Sequence, residues 1–396
     1  MRAINFIAAL VLFIASCVAC DARFPRGGGS QPSSFTPPGT ITDIAACNGT
    51  GAHDASVITT AMAAAGSGNT ARFKAGTSYA CVVNSFTLTA GVYLYADPAA
   101  TVTLTAATPS GTAGAGNTIT GATGATVNGS YAITTSDIIW DFSNSTNVTL
   151  GNVNIGSVSS NHYDRIQIDG SSGATIINNN IESCGHSSPS GSGCIGAYTP
   201  TAFTISGDHF NHCYDNDCID MPYGAGANSS IVKNVFQNDY NSVMEIGYGA
   251  TTQATTNFLV DSNWANDGAA ASCTSNCLKY SIPVNGTGST GNTVSNNYAD
   301  GTYPSGQGKI CIEFSQTGTV SNNQCNNFNY GGIGYSNGAT CTAIQHWTNN
   351  NLSTIGIAPV LDYNSCGPSV IVVSGTTSTV NPAPPQPTRT TWGGQN

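Results

Sequence analysis

One short phrase recurs down the middle of the chain: NVTLGNVNI from Asn147, ATIINNNI from Ala174, FTISGDHF from Phe203, SIVKNVF from Ser230, FLVDSNW from Phe258, NTVSNNY from Asn292 and GTVSNNQ from Gly318. Each copy is a β-branched run followed by Asn or another turn residue. Successive copies fall about 24 to 35 residues apart, a period that marks stacked units burying a core only against their neighbours. A second strand lies between the copies, in DRIQIDG at Asp164, GCIGAY at Gly193, DCIDMPYG at Asp217, SVMEIGYG at Ser242, CLKYS at Cys277, ICIEFS at Ile310 and GGIGYS at Gly331. Nothing between them carries a helical period, so a βαβ array with crossover helices is a poor fit. A propeller needs four strands and about 40 residues per blade. Two or three short strands per repeat predict an all-β chain wound as a parallel β-helix over residues 41–370.

These repeats, together with NGTGAHDASVITTAMAAAGSGNTARFKAGTSYACVV from Asn48 to Val83, resemble the pectin-lyase-like superfamily of single-stranded right-handed parallel β-helices. The N-terminal stretch is similar to that superfamily's opening cap, with Asp54 as helix N-cap, a short helix from Val57 to Ala65, and Phe73 to Tyr79 as strand and turn. The scaffold hosts lyases, hydrolases, esterases, tailspikes and adhesins. The resemblance therefore implies a fold and leaves activity to the side chains.

Charged residues make up only 8% of the chain, against 46 glycines, and 40% of residues are hydrophobic. That composition suits a loop-rich solenoid, which grows by adding repeats. Ten basic residues against twenty acidic ones, spread along the chain with a formal net charge of -10, exclude a phosphate-tracking nucleic-acid binder. No phosphate loop precedes a helix and no serine sits on a nucleophile elbow.

The first twenty residues, MRAINFIAALVLFIASCVAC, read as an export signal peptide. Ile14 to Cys17 resembles a bacterial lipobox, which makes Cys17 the expected lipidation site and Cys20 the alternative. The expected location is the bacterial outer membrane or cell surface, or secretion. Residues 21–40 read as a Gly/Pro/Ser-rich tether and 371–396 as a Pro/Thr-rich C-terminal tail, disordered from Val380. Beyond the leader lie twelve of the fourteen cysteines, an even number that fits an oxidising compartment. Sequence neighbours suggest Cys47/Cys81, Cys184/Cys194, Cys213/Cys218, Cys273/Cys277, Cys311/Cys325 and Cys341/Cys366. Bridges between rungs are the alternative, because Cys194, Cys218, Cys277 and Cys311 fall in one outward column when the second strands are aligned. No sequence feature implies an oligomer, and a monomer is expected.

That alignment takes Ile166 and Ile168, Ile195 and Ala197, Ile219 and Met221, Met244 and Ile246, Leu278 and Tyr280, and Ile312 and Phe314 as inward pairs. The residues between them point outward as Gln167, Gly196, Asp220, Glu245, Lys279 and Glu313. Asp220 and Glu245 then stand on adjacent rungs with Lys279 above them. The preceding segment, DHFNHCYDNDCID, brings Asp208, Asp215 and Asp217 close in sequence, beside His209 and His212. Carboxylates at such spacing repel, so that one holds a proton or a cation sits between them. The alternative is that turn Asp residues bond their own backbone and ladder charges only block edge pairing.

Within the superfamily, the polygalacturonase-type hydrolases offer partial echoes at Asn161 to Asp164, at Asp215 to Asp217 and at Glu245 to Gly247. An extra rung at Ser192 to Gly196 and the absence of a histidine motif break the match. Pectate lyases pair an acidic calcium cluster with a basic residue; here that resemblance implies calcium on Asp215, Asp217, Asp220 and Glu245, with Lys279 as base and Arg165 near a uronate. In the hydrolase reading no cofactor is required, and one of Asp220 and Glu245 protonates the leaving oxygen while the other is base or nucleophile. Tyr198, Tyr223 and Tyr248 supply sugar-stacking faces and Glu313 a further substrate contact. The expected function is polysaccharide cleavage by a glycoside hydrolase, with a calcium-dependent lyase and a non-catalytic glycan-binding or adhesin-like scaffold as alternatives.

Overall fold

The computed structural model of the 396-residue chain describes residues 36–107, 117–133, 138–155, 166–184, 193–213, 217–237, 242–247, 253–266, 280–282, 288–301, 310–315, 317–329, 331–335, 341, 344–356, 358–362, 365–378, 381 and 383–387. The leader with Cys17 and Cys20, and most of the tether, lie outside them. The chain from Thr36 onward forms a parallel β-solenoid of about 10 turns with one short helix near its N-terminal end. Among the described residues no helix is long and apolar enough to cross a membrane.

Each recurring phrase holds two strands and a corner. The first strand of the phrase, such as Thr175–Ile177, Thr204–Ser206 and Ser230–Val232, stacks in register on its successors to build sheet I. The second, such as Asn180–Cys184, His209–Cys213, Val235–Gln237 and Trp264–Asn266, builds sheet II. The two run together near the N-terminal end in the long strands Thr126–Ile133 and Thr149–Ile155. The intervening strands, from Phe86–Thr87 to Ala358–Asp362, form the separate eleven-stranded sheet III. Parallel pairing leaves each residue type over its counterpart one rung away, so apolar positions form continuous inward columns. One such column runs Ile176, Ile205, Ile231, Val260, Val294 and Val320, all buried. On sheet II, Phe210 and Phe236 stack at 4.9 Å and 9°.

The corner between sheets I and II needs a left-handed residue, and Asn178, Gly207, Lys233, Ser262, Asn296, Asn322 and Asn349 all have φ between 54° and 68°. Asn and Gly take this conformation at low cost. The next residue forms a buried polar ladder: Asn179, Asp208, Asn234, Asn263, Asn297, Asn323 and Asn350. Asn263 shows the pattern. Its backbone N–H and its Nδ2 both donate to Asn297 Oδ1, at 3.0 and 2.9 Å, and Nδ2 also donates to Ile231 O at 2.9 Å. Asn234, Asn297 and Asn323 repeat all three bonds. The recurrent Asn of the sequence phrase is thus two positions with two duties, a corner and a ladder.

The N-terminal helix α1, Gly51–Ala65, lays Ile58, Met62 and Ala65 over the open end of the core. It begins six residues earlier than Val57, with Thr50 rather than Asp54 at the N-cap. Asp54 instead turns back from inside the first turn and accepts the N–H groups of Asn48, Gly49 and Val82 at 2.8 to 3.0 Å. Burial pushes its carboxyl up, but His53 and those three donors outweigh burial and hold it below the usual range. Four of the suggested disulfides form: Cys47–Cys81, Cys213–Cys218, Cys311–Cys325 and Cys341–Cys366. Cys194 is also disulfide-bonded; its suggested partner's side chain, and the pair Cys273/Cys277, lie outside the described residues. The outward cysteine column does not exist, since Cys194, Cys218 and Cys311 are buried against the core. Nor does the solenoid end at residue 370, because Ile371–Ser374 adds a rung to sheet I over Gln345–Thr348.

Asp208 is the one ladder member with an oxygen where the others carry an amide NH2. A carboxylate cannot donate to the rung beneath as its neighbours do. Asp208→Asn is therefore expected to raise stability, and the reverse change Asn263→Asp to lower it, each by about 1–3 kcal/mol. Urea unfolding midpoints of the two variants check both signs. Asp54, with its carboxyl held low, stabilises the fold above the ordinary Asp range, and that contribution is lost as pH falls through its folded value. The unfolding midpoint of Asp54→Asn is accordingly expected to lie below that of the parent at pH 7 and to converge on it toward pH 2.

Candidate functional site

The outward column of sheet III follows from register. Asp141 pairs with Gln167, Gln167 with Gly196, Gly196 with Asp220, and Asp220 with Glu245. Rungs stand about 4.8 Å apart, so two carboxyl-bearing residues occupy consecutive steps, as expected. The next step differs. Glu245 pairs with Ser281, and Ser281 with Glu313, so Ser281 rather than Lys279 continues the column. The segment Leu278-Lys-Tyr-Ser-Ile282 carries apolar residues at every second position, and a slip of two residues preserves the in-and-out alternation. Tyr280 and Ile282, both buried, take the inward places. Lys279 itself lies outside the described residues, as do Arg165, Asp215 and Tyr248.

The four aspartates of the DHFNHCYDNDCID segment part company. Asp208 belongs to the corner ladder, and His209 lies on sheet II with its Nε2 2.7 Å from Gln237 Oε1. Asp217 and Asp220 flank the start of the strand Ile219–Met221 at the site. Asp217 is 1% exposed and Asp220 4% exposed, while Glu245 is half-buried. Burial pushes the Asp217 carboxyl well above its usual range; the charge of Glu245, a hydrogen bond shared with it and the charge of Asp220 push the same way, and a hydrogen bond with Ser242 only partly opposes them. Among the described residues Asp217 Oδ1 has no hydrogen-bond partner. The arrangement is a buried carboxyl group, Asp217, held well above its usual range beside the more accessible Glu245 and the buried Asp220.

Two tyrosines follow the column along the same pair of rungs, Tyr198 two residues after Gly196 and Tyr223 three after Asp220. Tyr198 is 44% exposed, and its ring lies 5.3 Å from that of Tyr223 at 41°. Asp169 Oδ1 accepts the Tyr198 backbone N–H at 2.7 Å. The Asp169 carboxyl is itself pushed up by burial and by the charge of Asp141, against the pull of that hydrogen bond. Gln253 Nε2 ties the same turns together by donating to Pro200 O and Gly224 O, each at 3.0 Å. Asp141, Asp169 and Ser242 were not singled out in the sequence, although Asp169 could have been found as the outward residue two places after Gln167.

No family model matches the chain and no curated protein matches it by sequence. Among solved structures it is similar to the Dettilon tailspike protein, with a TM-score of 0.53 and 13% identity over 81% of this chain and 68% of that one. The fold the two share is a parallel β-helix. Weaker likenesses are to a polygalacturonase from Erwinia carotovora ssp. carotovora (TM-score 0.49, 14% identity, 90% of this chain and 98% of that one) and to the Streptococcus pneumoniae surface protein and adhesin PfbA (0.47, 17%, 85% and 100%). At these identities the likeness is one of fold alone, and the chemistry rests on the residues above.

For metal, the donors at the site are Asp217, Asp220 and Glu245, the carboxylate oxygens a hard cation takes. Among the described residues the group with metal-ligand spacing is Cys47, Asp54 and Cys81, but there the sulfurs form a disulfide and the carboxylate is filled by N–H donors.

A folded-state carboxyl that binds its proton more tightly than the unfolded chain, whose Asp titrates near 3.9, makes stability greatest below that value and lowers it as pH rises toward the folded value. Asp217→Asn is expected to abolish this decline and to be more stable than the parent at pH 7. The difference in urea midpoint between the parent and Asp217→Asn from pH 3.5 to 8 measures it; an advantage of the variant that does not grow with pH would show that the Asp217 carboxyl is not raised.

Proposed function

We propose that this protein acts on polysaccharide outside the cytoplasm as a glycoside hydrolase, with Glu245 and Asp220 as its catalytic carboxyl groups. The observation that carries the reading is the grouping of three carboxyl groups, Asp220 and Glu245 on adjacent rungs and Asp217 buried beside them with its carboxyl pushed well above the usual range. Hydrolysis of a glycosidic bond needs one carboxyl group that delivers a proton to the leaving oxygen and another that stays ionised as base or nucleophile. Glu245, the more exposed of the pair, delivers the proton, Asp217 holds it in place from beneath, and Asp220 serves as the ionised partner. Tyr198 and Tyr223 supply an aromatic surface on which a sugar ring stacks. Glu313, two rungs beyond Glu245, extends the polar face along the chain of sugars.

A calcium-dependent reading draws on the buried Asp217 Oδ1. Among the described residues, however, Asp217, Asp220 and Glu245 do not bring their ligand atoms to metal-binding spacing, so a cation there would require these side chains to close in. The lyase chemistry built on it loses a support, since the column place beside Glu245 belongs to Ser281 and not to the presumed base. In a non-catalytic surface module, the same tyrosines and carboxylates would bind glycan without turnover.

Plant, algal and bacterial polysaccharides incubated with the protein, with and without calcium, separate these outcomes. New reducing ends without ultraviolet absorbance are expected. Asp220→Asn and Glu245→Gln are each expected to cut the rate by about 10²–10⁴ while leaving binding intact. An unsaturated, ultraviolet-absorbing product that requires calcium would replace the hydrolase with a lyase. Binding without product, unchanged in both variants, would leave a scaffold.

A further inference from the structure

Outside the solenoid, on the outward face of sheet II, sits an apolar cluster separate from the main core: Val235, Trp264 and Tyr298, only 8%, 7% and 2% exposed. Their register places them on successive rungs, followed by Gln324. Outward-facing Trp and Tyr this deeply buried must be covered, and the structure shows part of the cover. Trp264 Nε1 donates to Pro384 O at 3.2 Å, and Gln324 Nε2 donates to Asn381 O at 3.0 Å. The stretch expected to be a disordered tail from Val380 thus returns to the solenoid across 120 and 57 residues of sequence.

The geometry of this return is commensurate. Trp264 and Gln324 are two rungs apart, about 9.6 Å at 4.8 Å per rung. Asn381 and Pro384 are three residues apart, and three residues of polyproline II rise about 9.3 Å, one full turn. The segment Asn381-Pro-Ala-Pro-Pro-Gln-Pro387 has proline at four of seven positions, which pre-sets that conformation. Polyproline II leaves its carbonyls without internal partners, and the groove offers two side-chain N–H donors, an indole and an amide, at the spacing of one turn. The Trp264 and Tyr298 rings, 5.5 Å apart at 30°, form the wall between the two donors. Tyr298 is fixed in turn by its hydroxyl, which donates to Asp300 Oδ2 at 3.1 Å.

We propose that the outward groove of sheet II from Gln324 to Val235 is a polyproline-II binding site whose resident ligand is the chain's own segment 381–387, running back down the rungs as a strap. The repeat of the solenoid supplies the pitch, so the groove recognises period and carbonyl position more than side-chain identity. It is independent of the carboxylates on sheet III.

The test uses a chain ending at Ser378, which keeps the last rung pairing, and a synthetic peptide of residues 379–389. Because removal of the tail also removes Trp392, the readout is the tryptophan fluorescence of the shortened chain, which is expected to shift on saturable binding of the peptide. Binding is expected to be lost with Trp264→Ala, and with a peptide carrying one extra residue between Asn381 and Pro384, which breaks the match of turn to rung. Should the shortened chain fail to fold, the full chain with Pro384→Gly and Pro385→Gly carries the test: exchange of the Trp264 indole proton is expected to quicken at least tenfold. An unchanged exchange rate, no peptide binding, or binding indifferent to Trp264→Ala or to the inserted residue would overturn the proposal. Concentration-dependent dimers of the full chain that disappear on tail removal would overturn the assignment of the strap to its own chain.

Discussion

Every feature of this molecule hangs on in-register parallel stacking, and the corner ladder is what enforces it. An Asn that donates twice to the Asn above and once to the carbonyl below can be satisfied in one register only, because a slip of one residue would bury the amide unpaired at a cost of about 1–3 kcal/mol. The ladder repeats through Asn234, Asn263, Asn297 and Asn323, so registry at one corner is copied to the next. Among the described residues sheet III shows no such ladder of its own. It inherits alignment from the corner across the coil, which is why its outward residues can vary from rung to rung without loss of fold.

That division of labour explains what could be read in the sequence. The Asn-rich phrases disclosed the period, the strands and the core columns, because each of those is specified by residue type. The split of each phrase into two strands was hidden, since corner Asn178 and ladder Asn179 look alike in a string and differ only in φ and burial. The slip at Tyr280 was hidden for a related reason: Leu278, Tyr280 and Ile282 satisfy the inward pattern in two registers, and the choice is made by stacking on Met244 and Ile312. Asp220 and Glu245 were legible as neighbours because nothing interrupts Ile219 to Met221 or Met244 to Ile246. Asp217 drew attention only as part of a crowd of aspartates, and its burial beside Glu245 and Asp220 is a property of three dimensions.

The tail shows the limit of composition as a guide. Four prolines and no apolar period are the marks of a chain unable to make its own core, and 381–387 indeed makes none. It borrows a surface. Prolines lower the entropy lost on docking because their φ is already fixed, so the composition that argues for disorder in isolation favours a strap once a groove of matching pitch exists. Trp264 and Tyr298 were visible in the sequence only as the ends of repeat phrases, at places where neighbouring repeats carry Val, Gln or His.

The placement of charge points to where the fold has been made to serve something else. In the same outward column, Gly196 precedes Asp220 and Ser281 follows Glu245, so small neutral residues satisfy the fold on either side. A chain with only twenty acidic residues has nonetheless brought Asp217, Asp220 and Glu245 together, and buried the first of them where its charge is opposed by the other two. Stacked carboxyls cost stability at neutral pH that Gly or Ser would not. Strongly shifted groups that arise from burial and like charge together, beside exposed aromatic rings, are the physical signature of a working site more than of a structural one. The Asn members of the corner ladder pair their buried amides along the stack. Asp217 differs from the ladder in that its buried Oδ1 has no hydrogen-bond partner among the described residues while two further carboxyl groups bear on it.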